Sequence, residues 1–430
     1  MKRKVYYIAA GLLILAVTFT LVTASGRSGD NQSDSTNSGR FITTDKLINS
    51  LETSTRSNPK DSDSQLKLAN AYLQKVRETA DTSYYSKAAT AVDKAEAIKP
   101  NNPEVFATRA AIAYGRHDFA AGLKAAQQAA ILNPKRAIYH GLVGDGHLEL
   151  GNYEETVAAY QIMVNLRPDL GSFNRIAHIR EIYGDIPGAQ TALRSAISAS
   201  SSFPENVAFS QVELGKLQLR TSIDAAEATF KQALVTVPDY EPAFQGLARA
   251  AAARGNMEQA LKFIKQASES LPIAAYATDT GNIHVALGQD KLAAQQYQLA
   301  RLAYQKSSKD GIDTDQEMAL FLADNTKDYK LALTKAQAAH TSRPNIYAAD
   351  TLAWAHYKIG NIAEAKKYSA EALRLGEFDP SILYHSGMIA LKNNEPEDAK
   401  RYLTKALEIH PYFSIVQVPE AKKELAKLST

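Results

Sequence analysis

The 430-residue sequence has no cysteine, which excludes disulfides, thiol nucleophiles and cysteine-ligated zinc. It also has no marked excess of either charge. A formal net charge of +3 over the whole chain is too dilute for nucleic acid, which needs a concentrated basic face. Catalytic signatures are missing too: there is no HExxH zinc helix, no G-x-S-x-G nucleophile elbow, no Walker loop and no kinase set. Gly144-Asp145-Gly146 offers two glycines of a phosphate loop. Glu149 stands where the third belongs, however, and no strand precedes the motif, so close packing explains it. His140 and His147 could share a helix face, but without an HExxH context they read as packed side chains. No stretch is left over that is long enough for a separate catalytic domain, so the expectation is no enzyme, no cofactor and no bound metal.

One long uncharged run is present. Lys2, Arg3 and Lys4 precede Val5 to Ala24, whose length is nearer the ~20 residues of a spanning helix than the ~7–15 of a signal core. Residues 1–24 therefore read as a signal-anchor or, since Val22-Thr23-Ala24 suits a peptidase, as a cleaved signal peptide. The three basic residues favour a cytoplasmic N-terminus. The expectation is a single-pass cell-membrane protein with everything after Ala24 outside the cytoplasm; the alternative is a cleaved, periplasmic or secreted chain. Residues 25–40, SGRSGDNQSDSTNSGR, have nothing apolar to bury and read as a flexible linker.

The remainder is repetitive. Gly144 to Pro168 places small residues (Gly144, Thr156) where two helices must touch, a turn glycine (Gly151) between them, Tyr160 in the gap and Pro168 as a stop. Pro100, Pro134 and Pro168 are spaced by 34 residues, as are Pro238 and Pro272. Leu247-Ala248, Gly255, Ala260 and Ala267 repeat the pattern, and so do Asp350 to Leu373 and the block closing at Pro411. This period and these small residues resemble the tetratricopeptide repeat family. The resemblance implies an all-α solenoid, a right-handed superhelix of helix-turn-helix units in which each unit touches mainly its neighbours. Residues 41–61, with Leu47, Ile48 and Leu51 on one face, read as a half-repeat capping helix. Residues 62–413 hold about ten repeats, and residues 414–430 form a C-terminal cap. Extra residues at Arg77 to Tyr85, Ser198 to Pro204 and Lys306 to Asp315 read as loop insertions.

The chain is similar to exported or membrane-anchored bacterial members of that family, which implies a scaffold binding protein or peptide partners in its concave groove. A carbohydrate-binding or polysaccharide-assembly accessory is the alternative. The lysine and asparagine clamp of the chaperone-binding members is absent, since Ala107, Ala111, Gly141 and Asp145 occupy the corresponding places. Two sets of groove-facing residues follow from the implied geometry. Arg175, Lys216, Arg220 and Arg249, continued by the neutral Asn282, would form a basic stripe for an acidic segment, unless they are simply solvated cations. Glu317, Phe321, Asp324, Asp350, Trp354, Tyr357 and Tyr384 would suit a peptide with basic and apolar anchors, unless Phe321 and Trp354 are core. Trp354 is the chain's one tryptophan.

Overall fold

The computed structural model describes residues 43–201 and 203–428, and every regular element among them is a helix. The expected anchor or signal at 1–24 and the linker at 25–40 lie outside the described residues. Among the described residues no helix is long and apolar enough to cross a membrane.

The order begins with α1 (Thr44–Ser57), followed by the pairs α2 (Ser62–Thr79) and α3 (Tyr84–Ile98), α4 (Pro103–Gly115) and α5 (Phe119–Leu132), α6 (Ala137–Glu149) and α7 (Tyr153–Leu166), and α8 (Leu170–Ile182) and α9 (Ile186–Ala199). The middle pairs are α10 (Pro204–Gln218) with α11 (Ile223–Thr236), α12 (Glu241–Ala253) with α13 (Met257–Ser270), and α14 (Ala274–Ala286) with α15 (Asp290–Lys309). The last are α16 (Asp315–Asn325) with α17 (Tyr329–Ser342), α18 (Ile346–Lys358) with α19 (Ile362–Ala372), and α20 (Pro380–Lys392) with α21 (Pro396–Ile409); α22 (Gln417–Leu428) closes the chain.

Local chemistry fixes the ends of these helices. Asp61, Asp169 and Asp379 accept backbone N–H bonds at the starts of α2, α8 and α20, and prolines begin α4 and α10. Between α6 and α7 the chain turns at Gly151 with φ +75°, a conformation that costs a side-chain-bearing residue about 1–2 kcal/mol. His117 and Asn394 take the same left-handed conformation in other pairs. Within the α6–α7 pair, a Cβ on Gly144 would lie 2.4 Å from a ring carbon of Tyr160. Gly144→Ala is therefore expected to overpack the junction at a cost of about 1–3 kcal/mol, read as a lowered urea midpoint with an unchanged slope.

First helices of neighbouring pairs touch one another, while second helices pack on the first helices to either side, so the array curves with its first helices inward. These inner helices carry a ladder of polar contacts offset by about one repeat. Tyr114 Oη donates to the Leu142 carbonyl at 2.8 Å, Arg175 pairs with Asp145, Trp354 Nε1 donates to Asp324, and His385 Nδ1 meets Asp350.

Each unit touches mainly its neighbours, as expected, but the stack does not stay purely one-dimensional. The superhelix coils until late repeats meet early ones. Asn345 Nδ2 donates to the Glu149 carbonyl at 3.0 Å, the Ile346 amide donates to Tyr153 Oη at 3.0 Å, and the Asp313 amide donates to the Arg116 carbonyl at 3.1 Å. Leu148, Tyr153, Ile179 and Ile182 form one apolar cluster with Ile346, Ala349 and Ile382. Gly151 has a second reason to be glycine here, because a Cβ would lie 2.6 Å from the Pro344 carbonyl across this seam.

Two of the three insertions build the seam. The residues at Lys306 to Asp315 first lengthen α15 to 20 residues and then turn, so that Asp310 accepts from Thr82 Oγ1, within the Arg77 to Tyr85 insertion, at 2.5 Å. Ile312 from the same turn packs into the α2–α3 cluster. Extra length read as loop is helix plus an inter-turn contact.

Candidate functional site

The inward faces of α16, α18 and α20 converge. From Ala348 to His356 every residue of α18 is buried, and so is every residue of α20 from Ile382 to Ala390. A helix apolar on one stripe alone could not be buried all round. Here the seam covers one side of the pair and the C-terminal chain covers another.

The sequence-derived aromatic and acidic residues come together in this place, and most are internal. Trp354 is 2% exposed, Tyr384 1% and Phe321 4%. Tyr357 and His385 stack on the Trp354 ring at centroid distances of 4.7 and 4.2 Å, with Lys358 Nζ 4.4 Å from it. Phe321 lies against Tyr304 and Tyr297. Asp324 takes the indole N–H at 2.7 Å, Asp350 holds His385 Nδ1 at 2.9 Å, and Tyr384 Oη donates to Glu420 at 2.8 Å. Glu317 forms a two-pronged pair with Arg343 at 3.0 and 2.9 Å, near the seam rather than in an open face. Burial pulls on His385 to lose its proton, but the Asp350 carboxylate outweighs it and holds the imidazole above its ordinary range.

The basic stripe does not present free cations. Arg175 is 6% exposed and binds Asp145 through two bonds of 2.8 Å. Lys216 pairs with Glu213 at 2.6 Å, Arg220 with Glu181, and Arg249 with Asp279 at 3.3 Å. Asn282 accepts from Tyr297 Oη at 2.8 Å. Each charge is answered within the chain, so an acidic ligand would have to displace a carboxylate to use it. Arg220 Nη1 has no hydrogen-bond partner; the residue borders a cavity of about 20 Å³ between Glu181, Tyr347 and Asp379, room for one water. Among the described residues no three His, Asp or Glu side chains converge to hold a metal ion.

Glu149 is the least comfortable acid of the concavity. Burial, with Glu317 and Asp145 adding to it against the opposing pull of Arg343, pushes its carboxyl up to about 7. A carboxyl raised in the folded state favours folding while protonated, and that contribution is lost as pH climbs from the ordinary 4.5 through about 7. Partial contact with solvent discounts the loss to roughly 1–3 kcal/mol. Glu149→Gln is expected to melt higher than the parent at pH 8, with the gap closing below pH about 5. A lower melting point at pH 8 would mean that ionised Glu149 is a net partner of Arg343.

The pattern behind this geometry is recognisable in sequence. Residues 108–170 and 351–412, which include α6–α7, the later part of α18 and α19–α21, match the profile described as tetratricopeptide repeat. The chain carries tetratricopeptide repeats. Among solved structures it is similar to yeast Tom70, at 13% identity with 90% of this chain and 92% of that one covered and a TM-score of 0.37. It is also similar to a tetratricopeptide repeat protein from Parabacteroides merdae, at 17% identity with 61% and 99% covered and a TM-score of 0.36. Neither likeness bears on a partner. No curated protein matches the sequence.

Several residues of the concavity carried no sequence signal of their own. His385, Gln417, Glu420 and Arg343 complete the contacts of Asp350, Asp324, Tyr384 and Glu317. Setting the repeats in register would have found two of them, since His385 lies 35 positions after Asp350 and Glu420 lies 36 after Tyr384. Gln417 has no such signal, because it reaches from α22 across to α16.

Proposed function

We propose that the chain is a non-enzymatic scaffold that binds peptide segments of protein partners within its repeat array, held at a membrane by residues 1–24 with the repeats outside the cytoplasm. The repeats support the interaction role, since stacked helix pairs present long inner surfaces without a catalytic constellation. One observation carries the peptide reading. The irregular segment between α21 and α22 already lies against the inner helices, with Phe413 on the Tyr384 ring and Ile415 on the cluster built from α10 to α14. A face that accepts apolar side chains from an irregular segment of its own chain has the chemistry for another's.

A sugar is the poorer fit. Carbohydrate stacking needs an open aromatic face, and the Trp354 ring is already stacked on Tyr357 and His385. Presenting the full chain in detergent to immobilised peptide and glycan libraries tests this reading, and retention of glycans alone would reverse it. The orientation rests on Lys2, Arg3 and Lys4 ahead of an uncharged run. A cysteine at Ser33 is then expected to react with an impermeant thiol reagent in intact cells, or once only an outer layer is opened; reaction only after lysis would place the repeats on the other side.

A further inference from the structure

We propose that residues Pro411–Leu428 are a releasable, in-cis occupant of the peptide-binding concavity, and that this occupant spells out the partner. The partner is a peptide with an aromatic residue, an aliphatic residue two positions on and an amide or cationic side chain two beyond that, the pattern of Phe413, Ile415 and Gln417. The inference rests on the peptide-binding reading above.

Burial on the two sides of this contact is lopsided. Beneath the segment, Phe321, Trp354, Tyr384 and His385 are all buried. Above it, Val418 and Ala421 alone among residues 411–428 are buried, and Tyr412 and Val416 are exposed although apolar. The contacts of Gln417 are long, since its Nε2 donates to Asp324 at 3.4 Å and lies 3.3 Å from His385 Nε2, and the one short bond, from Tyr384 Oη at 2.8 Å, ends on an exposed residue, Glu420. Few buried contacts and exposed bonds mark a segment that opens well below the free energy of global unfolding.

Release would uncover a recognition surface with defined chemistry. The Tyr384 ring, 5.9 Å from Phe413, is the aromatic platform. The cluster of α10 to α14 that receives Ile415 is the aliphatic one. Asp324 keeps its bond from Trp354 but loses Gln417, which leaves carboxylate lone pairs facing the opening. Such an acceptor selects an amide or ammonium donor, which is why the third position of the partner is an amide or a cation and not a carboxylate.

Two measurements on the full chain test this. In hydrogen exchange, amides of α22 are expected to exchange at least about a hundredfold faster than those of α20. A fluorescein-labelled peptide of residues 411–428 is expected to bind the Phe413→Ala/Ile415→Ala variant at least about tenfold more tightly than the parent, whose own segment competes in cis. An unrelated peptide of the same aromatic–aliphatic–Gln spacing is expected to displace it. Equal binding to variant and parent, α22 amides as protected as those of α20, or loss of helical circular dichroism in the variant would each overturn release, the last by making the segment an integral part of the core. Capture of library peptides by a parent whose α22 never opens would overturn release while leaving the peptide-binding reading standing.

Discussion

Trp354→Ala is expected to destabilise the array by about 3–5 kcal/mol, the cost of emptying a buried aromatic site. The side chain is 2% exposed and touches elements from three repeats: Tyr357 on its own helix, His385 on α20 and Asp324 on α16. Removing it takes away packing and also strips Asp324 of its indole donor at 2.7 Å. Trp354→Phe keeps most of the ring while losing that bond, so it should cost about 1–3 kcal/mol, between parent and alanine. Urea titrations followed by far-ultraviolet circular dichroism separate the three. A cost under about 1 kcal/mol for alanine, together with lost peptide binding, would make Trp354 a ligand contact with little structural part.

Arg175→Ala should be comparably damaging, at about 3–5 kcal/mol, because it leaves a buried carboxylate without its counter-charge. Arg175 Nε and Nη2 each bond Asp145 at 2.8 Å, Nη1 bonds the Gly171 carbonyl at 3.1 Å, and Tyr160 Oη adds a third contact on Asp145. After the substitution only the tyrosine hydroxyl would remain. The double change Arg175→Met/Asp145→Leu removes both charges and is expected to recover most of the loss, since the pair's attraction is offset by the desolvation of its members. Chemical denaturation of the two single variants and the double variant forms the cycle that measures this. A double variant as unstable as the singles would mean that the guanidinium's shape, and not its charge balance, holds α6 to α8. Because Arg175 is internal, glutamate at this position would report on folding before it reported on a ligand.

What the sequence revealed and what it hid divide along a physical line. Helix pairs, their turns and their tight junctions are local, so Gly144 facing Tyr160 and Gly151 at a turn were legible from spacing alone. The residues of the inner face were legible as a set, since Glu317, Phe321, Asp324, Asp350, Trp354, Tyr357 and Tyr384 do sit on three successive first helices. Their environment was not. Whether an inner face is open depends on the superhelical path, which sums small rotations at every junction and leaves no local mark. The seam between Thr82 and Asp310 spans 228 positions, and nothing around either residue announces the other. The same path brings Gln417 to Asp324, turning an expected groove into a filled one.

The closure of the superhelix is the claim on which the filled concavity depends, and one distance tests it. Ser83 and Lys309 are exposed and adjoin the Thr82–Asp310 contact, and a chain without cysteine allows both to be replaced by cysteine and spin-labelled without background. In a closed superhelix the two labels lie on opposite sides of a 2.5 Å hydrogen bond, so pulsed electron resonance should give a narrow distribution centred within about 25 Å once label length is allowed for. In an open solenoid the same positions are six helix pairs apart, and at ~8–10 Å per packed helix layer they would be separated by roughly 50 Å. A broad distribution near that longer value would contradict the account.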